Sequence, residues 1–311
     1  MRLAFVFPGQ GSQAVGMGRG FYDGSAAVKA LYEEANEALG FDLARLSFEG
    51  PEADLQLTAN TQPAILTASV AAATVLAERD VAPAIAGGHS LGEYSALVVA
   101  GAFHFADAVR IVRRRGEFMQ EAVPVGTGAM AAVVGLEPAV VKQICLEARQ
   151  DEVAEIANIN SSTQIVIAGH RGAVQRALAL AAERGAKLSV PLPVSAPFHS
   201  PLMRPAAERL SAALASVRVR APKIPVVRNV DAGLTTTAED VVPFLVRQVV
   251  SPVRWTECVG RMVREGADTF VEVGPGRVLT GLLKRITKDA RGYSVEDPES
   301  LEKTLAALGK G

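Results

Sequence analysis

Gly88-His89-Ser90-Leu91-Gly92 is the stretch on which the interpretation of this sequence depends. The apolar residues 81–87 before it predict a short buried strand, and residues 93–100 after it predict a helix. A serine set between strand and helix, flanked by two glycines, has the pattern of a nucleophile elbow. A side chain at either glycine would collide with neighbouring backbone, whereas the serine would project at a helix N-terminus, where unpaired amides favour a developing oxyanion. An ordinary glycine-flanked turn is the alternative.

Composition narrows the class of protein. The chain has 311 residues, is 49% hydrophobic and carries a formal net charge of −1. This length allows a large buried core, and the near-neutral charge argues against a nucleic-acid-binding surface. No uninterrupted apolar segment is long enough to cross a bilayer, so we expect no membrane partner. Nothing in the sequence requires more than a monomer.

The N-terminal segment and the two cysteines indicate the cellular compartment. The apolar run at the N-terminus is halted by Pro8 and Gly9, which is too short for a signal peptide and predicts a first buried strand. Cys145 and Cys258 lack the number and spacing of a disulfide framework or a zinc site. We therefore expect a cytoplasmic protein that uses no cofactor and no metal.

Strand-like apolar runs alternate with helical periodicity, which predicts an α/β fold with a largely parallel sheet. Outside the elbow, this pattern predicts strands at 3–7 and 269–273, and helices at 26–39, 61–78, 107–122, 200–216 and 277–286. The polar tail from residue 289 gives no clear prediction.

The pattern changes near residue 126. From there the order is strand, helix, strand, strand, helix, strand, which is the order of the ferredoxin-like fold. These elements are predicted at 129–134, 138–147, 153–158, 164–169, 171–184 and 186–190. We expect residues 126–193 to form a small ferredoxin-like domain, inserted into a discontinuous large domain of residues 1–125 and 194–311.

A serine nucleophile needs a base, which is usually histidine. His89 adjoins Ser90 and would point away from it, while His104 and His170 fit capping or surface positions. His199 follows a proline-containing extended segment and precedes a helix, so it is placed to reach an elbow; a helix-capping surface histidine is the alternative. No acid between Ser90 and His199 stands out as the third member of a triad, and a backbone carbonyl could orient the histidine instead.

Two further segments could contribute to a site at the carboxyl ends of parallel strands. Backbone amides of the glycine-rich loop around Gln10 could line an oxyanion hole, although a simple tight turn is the alternative. Three successive arginines, residues 113–115, cannot all point in one direction on a helix, so at least one should turn toward the sheet. A buried arginine needs an anionic partner, and a substrate carboxylate matches its two-pronged guanidinium.

Two glycine patterns are set aside. Gly126-Thr127-Gly128 follows a helix and precedes a strand, which is the opposite order to that of a dinucleotide-binding fingerprint. Gly274-Pro275-Gly276 lies between a strand and a helix, and is best interpreted as a tight turn.

Taken together, these segments closely resemble the malonyl-CoA:acyl carrier protein transacylase family over nearly the whole chain. The matching pieces are Phe7-Pro8-Gly9-Gln10-Gly11-Ser12-Gln13, residues 88–97, Arg115-Gly116-x-x-Met119-Gln120, residues 126–130, residues 158–161, Pro193-Val194-Ser195-x-Pro197-x-His199, Asn229-Val230 and residues 272–276.

The resemblance implies a role for each matching position. It implies that Ser90 accepts the acyl group, that His199 is the base, and that the main-chain carbonyl of Gln248 orients it. The amides of Gln10 and Leu91 would form the oxyanion hole. Contacts to the substrate would come from Arg115, which would bind the malonyl carboxylate, and from Met119, Met130, Phe198 and Asn160. The family fold, an α/β-hydrolase-like domain with a ferredoxin-like one, agrees with the element order above.

The implied function is transfer of a malonyl group from malonyl-CoA to the phosphopantetheine thiol of acyl carrier protein. The position before the histidine, occupied here by Phe198, is often serine in members that serve fatty acid synthesis. Phenylalanine at this position resembles the malonyl-selective acyltransferase domains of polyketide synthases. A free-standing acyltransferase of polyketide synthesis therefore stays open. A serine esterase or thioesterase is a further alternative, and a non-catalytic scaffold that binds carrier proteins or acyl-CoA is another.

Overall fold

The computed structural model describes residues 1–194 and 196–310, so Ser195 of the histidine-containing motif and the last residue of the predicted large domain lie outside it. The strands of the described residues are β1 (Leu3–Phe7), β2 (Ile85–Gly88), β3 (Gly128–Val134), β4 (Ala154–Ser161), β5 (Gln164–His170), β6 (Leu188–Pro191), β7 (Val226–Val227), β8 (Leu234–Thr235), β9 (Thr269–Val273) and β10 (Arg291–Val295).

The helices alternate with these strands along the chain. They are α1 (Arg19–Gly24), α2 (Ala26–Leu39), α3 (Leu43–Glu49), α4 (Glu52–Leu55), α5 (Thr58–Ala77), α6 (Gly92–Val99), α7 (Phe105–Glu121), α8 (Pro138–Arg149), α9 (Arg171–Glu183), α10 (Arg204–Leu214), α11 (Ala238–Val249), α12 (Trp255–Arg264), α13 (Val278–Ile286) and α14 (Pro298–Ala307), with a short 3₁₀ turn at Pro201–Met203 before α10.

The larger sheet has six strands in the order β10-β9-β1-β2-β7-β8. Every neighbouring pair is parallel except β7 and β8. β1 and β2 are in register from Ala4 with Ile85 to Phe7 with Gly88, and the His89 amide donates to the Phe7 carbonyl at 3.0 Å. The loops that follow these two strands therefore leave the sheet side by side, which brings Gln10 and Ser90 to the same edge.

Both faces of this sheet are covered by helices, as is usual for parallel sheets. Side chains alternate along β1, so that Phe5 and Phe7 pack into the cluster containing α5 and α7. Ala4 and Val6 pack on the opposite face, in the cluster that includes Trp255 of α12 and Leu279 of α13. The sheet is thereby held rigidly, and the segments at its carboxyl edge are positioned by buried contacts on both sides.

The smaller sheet is antiparallel, with the order β4-β5-β3-β6. Together with α8 and α9 it has the strand–helix–strand–strand–helix–strand order and the strand neighbours of a ferredoxin-like fold. Its β4 contacts the segment before α12, where the amide of Ile159 donates to the carbonyl of Val253 at 2.9 Å. The predicted fold class is thus confirmed, while the exact boundaries at residues 125/126 and 193/194 stay a prediction.

Several element predictions need correction. The helix predicted from residue 61 begins at Thr58, and the one predicted to begin at residue 200 starts as a 3₁₀ turn and becomes α10 only at Arg204. The polar tail is ordered as β10 and α14, because an Asp297–Ser300 capping box starts that helix and β10 pairs with β9. No prediction was made for β7, β8, α11 or α12.

The two glycines of the elbow are required by backbone contacts. A Cβ atom at Gly88 would lie 1.9 Å from the main-chain carbonyl carbon of Gly92, and one at Gly92 would lie 2.0 Å from the carbonyl oxygen of Phe7. Both distances are far below van der Waals contact, and the atoms involved are backbone. The turn can therefore close only with glycine at both positions.

We expect Gly88→Ala to lower the free energy of unfolding by about 3 kcal/mol, because the elbow must open to admit a methyl group. Gly281→Ala on α13 is the matched control, since a Cβ there meets no atom within 4 Å and alanine is the better helix former. Urea denaturation measures both. A Gly88→Ala protein as stable as the control would contradict this account of the turn.

Candidate functional site

Ser90 sits between β2 and α6 in a left-handed backbone conformation, with φ of 52°. This conformation is unfavourable for a residue with a side chain and needs support from its surroundings. Asn229 supplies part of it: its Oδ1 accepts from the Ser90 amide at 2.7 Å and its Nδ2 donates to the Gly88 carbonyl at 2.7 Å. The result is a serine whose side chain projects into a cavity at the sheet edge.

The Ser90 hydroxyl is hydrogen-bonded to His199. Its Oγ lies 2.8 Å from His199 Nε2, and His199 Nδ1 lies 2.9 Å from the main-chain carbonyl oxygen of Gln248. A carbonyl can only accept, so Nδ1 carries the proton and Nε2 of the neutral ring is left to accept from the serine. The histidine is oriented by a backbone carbonyl at the end of α11 rather than by a carboxylate.

His199 is 4% exposed and, like Ser90, has a left-handed backbone, with φ of 59°. Burial, followed by the positive charge of Arg115, lowers the pKa of His199 to about 3. The ring is therefore neutral at physiological pH. It is available to accept a proton, provided that a counter-charge reaches the site when the proton moves.

Arg115 on α7 is the arginine of residues 113–115 that turns inward, and it is 2% exposed. Its Nη2 donates to Ser90 Oγ at 3.0 Å and to Gln248 Oε1 at 2.9 Å, while its Nη1 donates to Gln62 Oε1 at 2.8 Å. Its guanidinium carbon lies 5.4 Å from the centre of the Tyr94 ring. Every one of these partners is uncharged.

The neighbouring arginines face elsewhere. Arg113 pairs with Glu117 at 2.9 Å, and Arg114 lies over the ring of Phe118. By contrast, within residues 1–194 and 196–310 Arg115 forms no ion pair with a carboxylate, and its Nε has no acceptor. Glu93 is a nearby charge but not a direct partner of Arg115. A buried guanidinium with no carboxylate in ion-pair contact among the described residues, placed 3.0 Å from a serine hydroxyl, has the chemistry of a carboxylate-binding site.

A cavity of about 320 Å³ opens beside Ser90, between the two sheets. It is lined by Ser90, His199 and Arg115, and by the other predicted contact residues Gln10, Leu91, Met119, Met130, Asn160 and Phe198. Gln248 alone of the predicted site residues does not line the cavity, and reaches His199 and Arg115 from behind. Residues that are up to 238 positions apart in the sequence are thus brought together.

The other histidines lie where their sequence context suggested. His89 Nε2 is 2.8 Å from Asn160 Oδ1 and its ring packs 5.7 Å from that of Trp255, so it shapes the wall between the sheets. His104 precedes α7 with its side chain 66% exposed. His170 Nδ1 accepts from the Val153 amide at 2.9 Å in the smaller sheet.

Three polar residues that hold the site together were given no role from the sequence, namely Gln62, Glu93 and Asn229, although the last two lie in segments that match the family. All three are buried, at 1%, 2% and 0% exposure. A signal was available for Glu93, because it is the charged residue of a mostly apolar helix, and a buried polar group requires a partner. Gln62 follows the polar residues Asn60 and Thr61 and carried no such signal. Asn229 lies in a loop and carried no such signal.

Two general features of the described residues bear on other classes of site. No group of three or more His, Cys, Asp and Glu side chains in the described chain is arranged to hold a metal ion. Among the helices of residues 1–194 and 196–310, none combines the length and apolarity that a membrane crossing requires.

Comparison with known proteins assigns the chain to a family. The sequence profile of the acyl transferase domain matches residues 4–300. The malonyl CoA-acyl carrier protein transacylase of Escherichia coli (strain K12) is 49% identical over 305 residues, which cover 98% of this chain and 99% of that protein.

Solved structures give the same assignment. An acyl carrier protein S-malonyltransferase from Vibrio cholerae superposes with a TM-score of 0.96 at 50% identity, covering 98% of this chain and 100% of that one. A malonyl-transacylase in complex with a type II PKS acyl-carrier protein superposes with a TM-score of 0.96 at 45% identity, covering 99% and 100%. The chain therefore belongs to the malonyl CoA-acyl carrier protein transacylase family.

Proposed function

We propose that this protein transfers a malonyl group from malonyl-CoA to the phosphopantetheine thiol of an acyl carrier protein, through a malonyl ester of Ser90. The observation that carries the proposal is Arg115: a buried cation that no carboxylate of the described residues contacts directly, 3.0 Å from the hydroxyl that would become acylated. An esterase for neutral acyl groups has no use for such a charge. The family relationship supports the same substrate.

In the first half-reaction, His199 Nε2 takes the Ser90 proton while Oγ attacks the thioester carbonyl carbon. The negative charge that develops on the carbonyl oxygen would be stabilised by the amides of Gln10 and Leu91. The Ser90 amide already donates to Asn229, so it is not free to bind the oxyanion, and the amides of Gln10 and Leu91 would do so. The tetrahedral intermediate then breaks its C–S bond, and the histidine proton goes to the coenzyme A thiolate.

The second half-reaction repeats these steps in reverse order. The carrier-protein thiol gives its proton to His199 and attacks the malonyl-Ser90 ester, and the serine leaves with that proton. The Gln248 carbonyl keeps the ring in one tautomer throughout. Arg115 holds the malonyl carboxylate in both halves, so the ester carbonyl meets the incoming thiol in a fixed orientation.

The remaining cavity residues would define the acyl pocket. Met119, Met130 and Phe198 are each buried and supply apolar walls, and Asn160 supplies a polar one. A bulky ring at Phe198 would crowd a 2-methyl branch, which favours malonyl over methylmalonyl groups. We extend the proposal to a monomeric cytoplasmic protein of two domains, split as predicted, that needs neither cofactor nor nucleic acid.

Intact-protein mass spectrometry after brief incubation with malonyl-CoA tests the proposal. We expect an increase equal to one malonyl group, and its discharge when a carrier-protein thiol is added; carrier proteins of fatty acid and polyketide synthesis should be compared. Acetyl-CoA and methylmalonyl-CoA are expected to give much less adduct. Release of free malonate without carrier-dependent discharge would indicate a hydrolase and would contradict the proposal.

A further inference from the structure

The main chain of Ser90 is held on both sides by buried side chains. Its amide donates to Asn229 Oδ1 at 2.7 Å, and its carbonyl accepts from Gln248 Nε2 at 3.0 Å. Asn229 and Gln248 are both fully buried. These two side chains fix the peptide groups on either side of the serine, and with them its left-handed conformation.

Both residues, Asn229 through its main chain and Gln248 through its side chain, donate to a single atom of Glu93. Its Oε2 accepts from the main-chain amide of Asn229 at 3.0 Å and from Nε2 of Gln248 at 2.8 Å. Glu93 lies in the first turn of α6, three residues after Ser90, and is 2% exposed. A closed ring of hydrogen bonds therefore runs from Ser90 through Asn229, Glu93 and Gln248 back to Ser90.

We propose that Glu93 is a positioning residue whose carboxylate holds Asn229 and Gln248 in place, and through them holds Ser90 in line with His199. This inference rests on the assignment of Ser90 as the nucleophile in the proposed function. Glu93 touches neither the cavity nor the reacting atoms. Its effect is on the geometry of the nucleophile, so it should alter acylation by any substrate rather than the choice among acyl groups.

The surroundings of Glu93 make this role dependent on pH. Burial raises the pKa of Glu93 to about 7, against the opposing effects of its hydrogen bonds and of the cations Arg115 and Arg228. The other titratable groups around it are its neighbour Tyr94 and Cys258 of α12. Hydrogen bonds to a carboxylate are roughly twice as strong as those to a neutral group. The ring of hydrogen bonds around Ser90 is therefore tighter above pH 7 than below it.

Stability and activity should respond to this titration in opposite directions. Folding raises the pKa of Glu93, so the folded state favours the protonated carboxyl. The stability that this protonation contributes is fully present below the unfolded-state pKa of about 4.5 and is lost as the pH rises through the folded-state pKa of about 7. Ser90 reactivity should instead increase over that interval. A carboxylate with a merely structural role would not produce this opposition.

The test measures acylation of Ser90 by p-nitrophenyl acetate, which needs neither malonyl recognition nor a carrier protein. We expect the wild-type rate to fall severalfold as the pH is lowered from 8.5 to 5.5, with a midpoint near 7. Glu93→Gln should lower the rate at pH 8.5 about tenfold and abolish this dependence, and Glu93→Ala should lower it about 100-fold. Glu93→Asp should retain the pH dependence.

Glu272→Gln is the matched control. Glu272 is also a fully buried carboxylate, but its oxygens accept from Leu279 and Thr280 at the start of α13. Its pKa is likewise raised by burial. We expect this variant to lose stability and to keep the wild-type pH profile of Ser90 acylation.

A Glu93→Gln protein with the wild-type rate and profile overturns the inference. If that variant does not fold, the wild-type profile decides: no change between pH 5.5 and 8.5 overturns it, whereas a midpoint that Arg228→Gln moves upward supports it. The pKa of His199 is affected by the charges of Arg115 and His89 and not by that of Arg228. A midpoint that moves when Arg228 is replaced therefore belongs to Glu93 rather than to His199. Normal acylation by p-nitrophenyl acetate without any malonyl adduct would refute the proposed function alone.

Discussion

Replacing Ser90 by alanine is expected to abolish the malonyl adduct and to lower malonyl transfer by a factor of roughly 10⁴ to 10⁶. His199→Ala should cost a similar factor, because His199 is the one base that hydrogen-bonds Ser90 Oγ among the described residues. The two residues act as one unit in proton removal and attack. The double variant is therefore expected to be no slower than the slower single variant, which steady-state kinetics of thiol transfer can measure.

The control for Ser90→Ala is Ser95→Ala, on the same helix α6. Ser95 is also buried, and its hydroxyl has no hydrogen-bond partner among the described residues. This variant should keep a full malonyl adduct. An adduct of unchanged mass and rate on Ser90→Ala would place the acyl group on another residue and contradict the mechanism.

The elbow could be predicted from sequence because its determinants are local. Gly88 and Gly92 are close to each other along the chain, and the collision of a Cβ with the turn follows from backbone geometry. Helix geometry predicted that at least one of the arginines 113–115 faces inward, because three neighbouring residues cannot share one side of a helix. That this residue is Arg115 was implied only by the resemblance to the family. Periodicity likewise predicted the element order around the smaller sheet and the strands β1, β2 and β9 of the larger one, with errors of a few residues at element ends.

The polar framework behind the cavity could not be predicted in this way. Glu93 meets Gln248 across 155 positions and Asn229 across 136, and no local pattern specifies such pairs. Gln248 entered only through resemblance to a family, since α11 itself was not predicted. A charged residue in the apolar start of α6 was nevertheless a usable signal, because burial of a carboxylate requires several donors.

The polar tail shows a different limit. Its strand β10 is half-exposed and lies at an edge of the larger sheet, so it lacks a continuous apolar run. What fixes it is pairing with β9, which is a tertiary contact. The sequence did contain a helix start at Asp297 followed by Pro298 and Ser300, and that combination predicts α14.

The Arg115→Ala variant is expected to lower kcat/KM for malonyl-CoA by about 100- to 10,000-fold and that for acetyl-CoA by less than about tenfold. Malonyl groups lose two charge-assisted hydrogen bonds to the guanidinium, each worth about 1.5–3 kcal/mol in a buried site. Acetyl groups carry no carboxylate and lose only the support that Nη2 gives to Ser90 Oγ and Gln248 Oε1. The ratio of the two rates therefore isolates carboxylate binding from any general damage to the site.

Alanine variants of the two neighbouring arginines are the controls, and a conservative change of Arg115 itself separates its charge from its geometry. Arg113→Ala and Arg114→Ala remove cations from the same helix, yet these side chains contact Glu117 and Phe118 rather than the cavity, so the malonyl-to-acetyl ratio should stay at its wild-type value. Arg115→Lys keeps the charge but not the two-pronged geometry, and should give an intermediate ratio. Equal losses for malonyl and acetyl groups in Arg115→Ala would show that the arginine supports the nucleophile alone, and that malonyl selectivity arises elsewhere in the cavity.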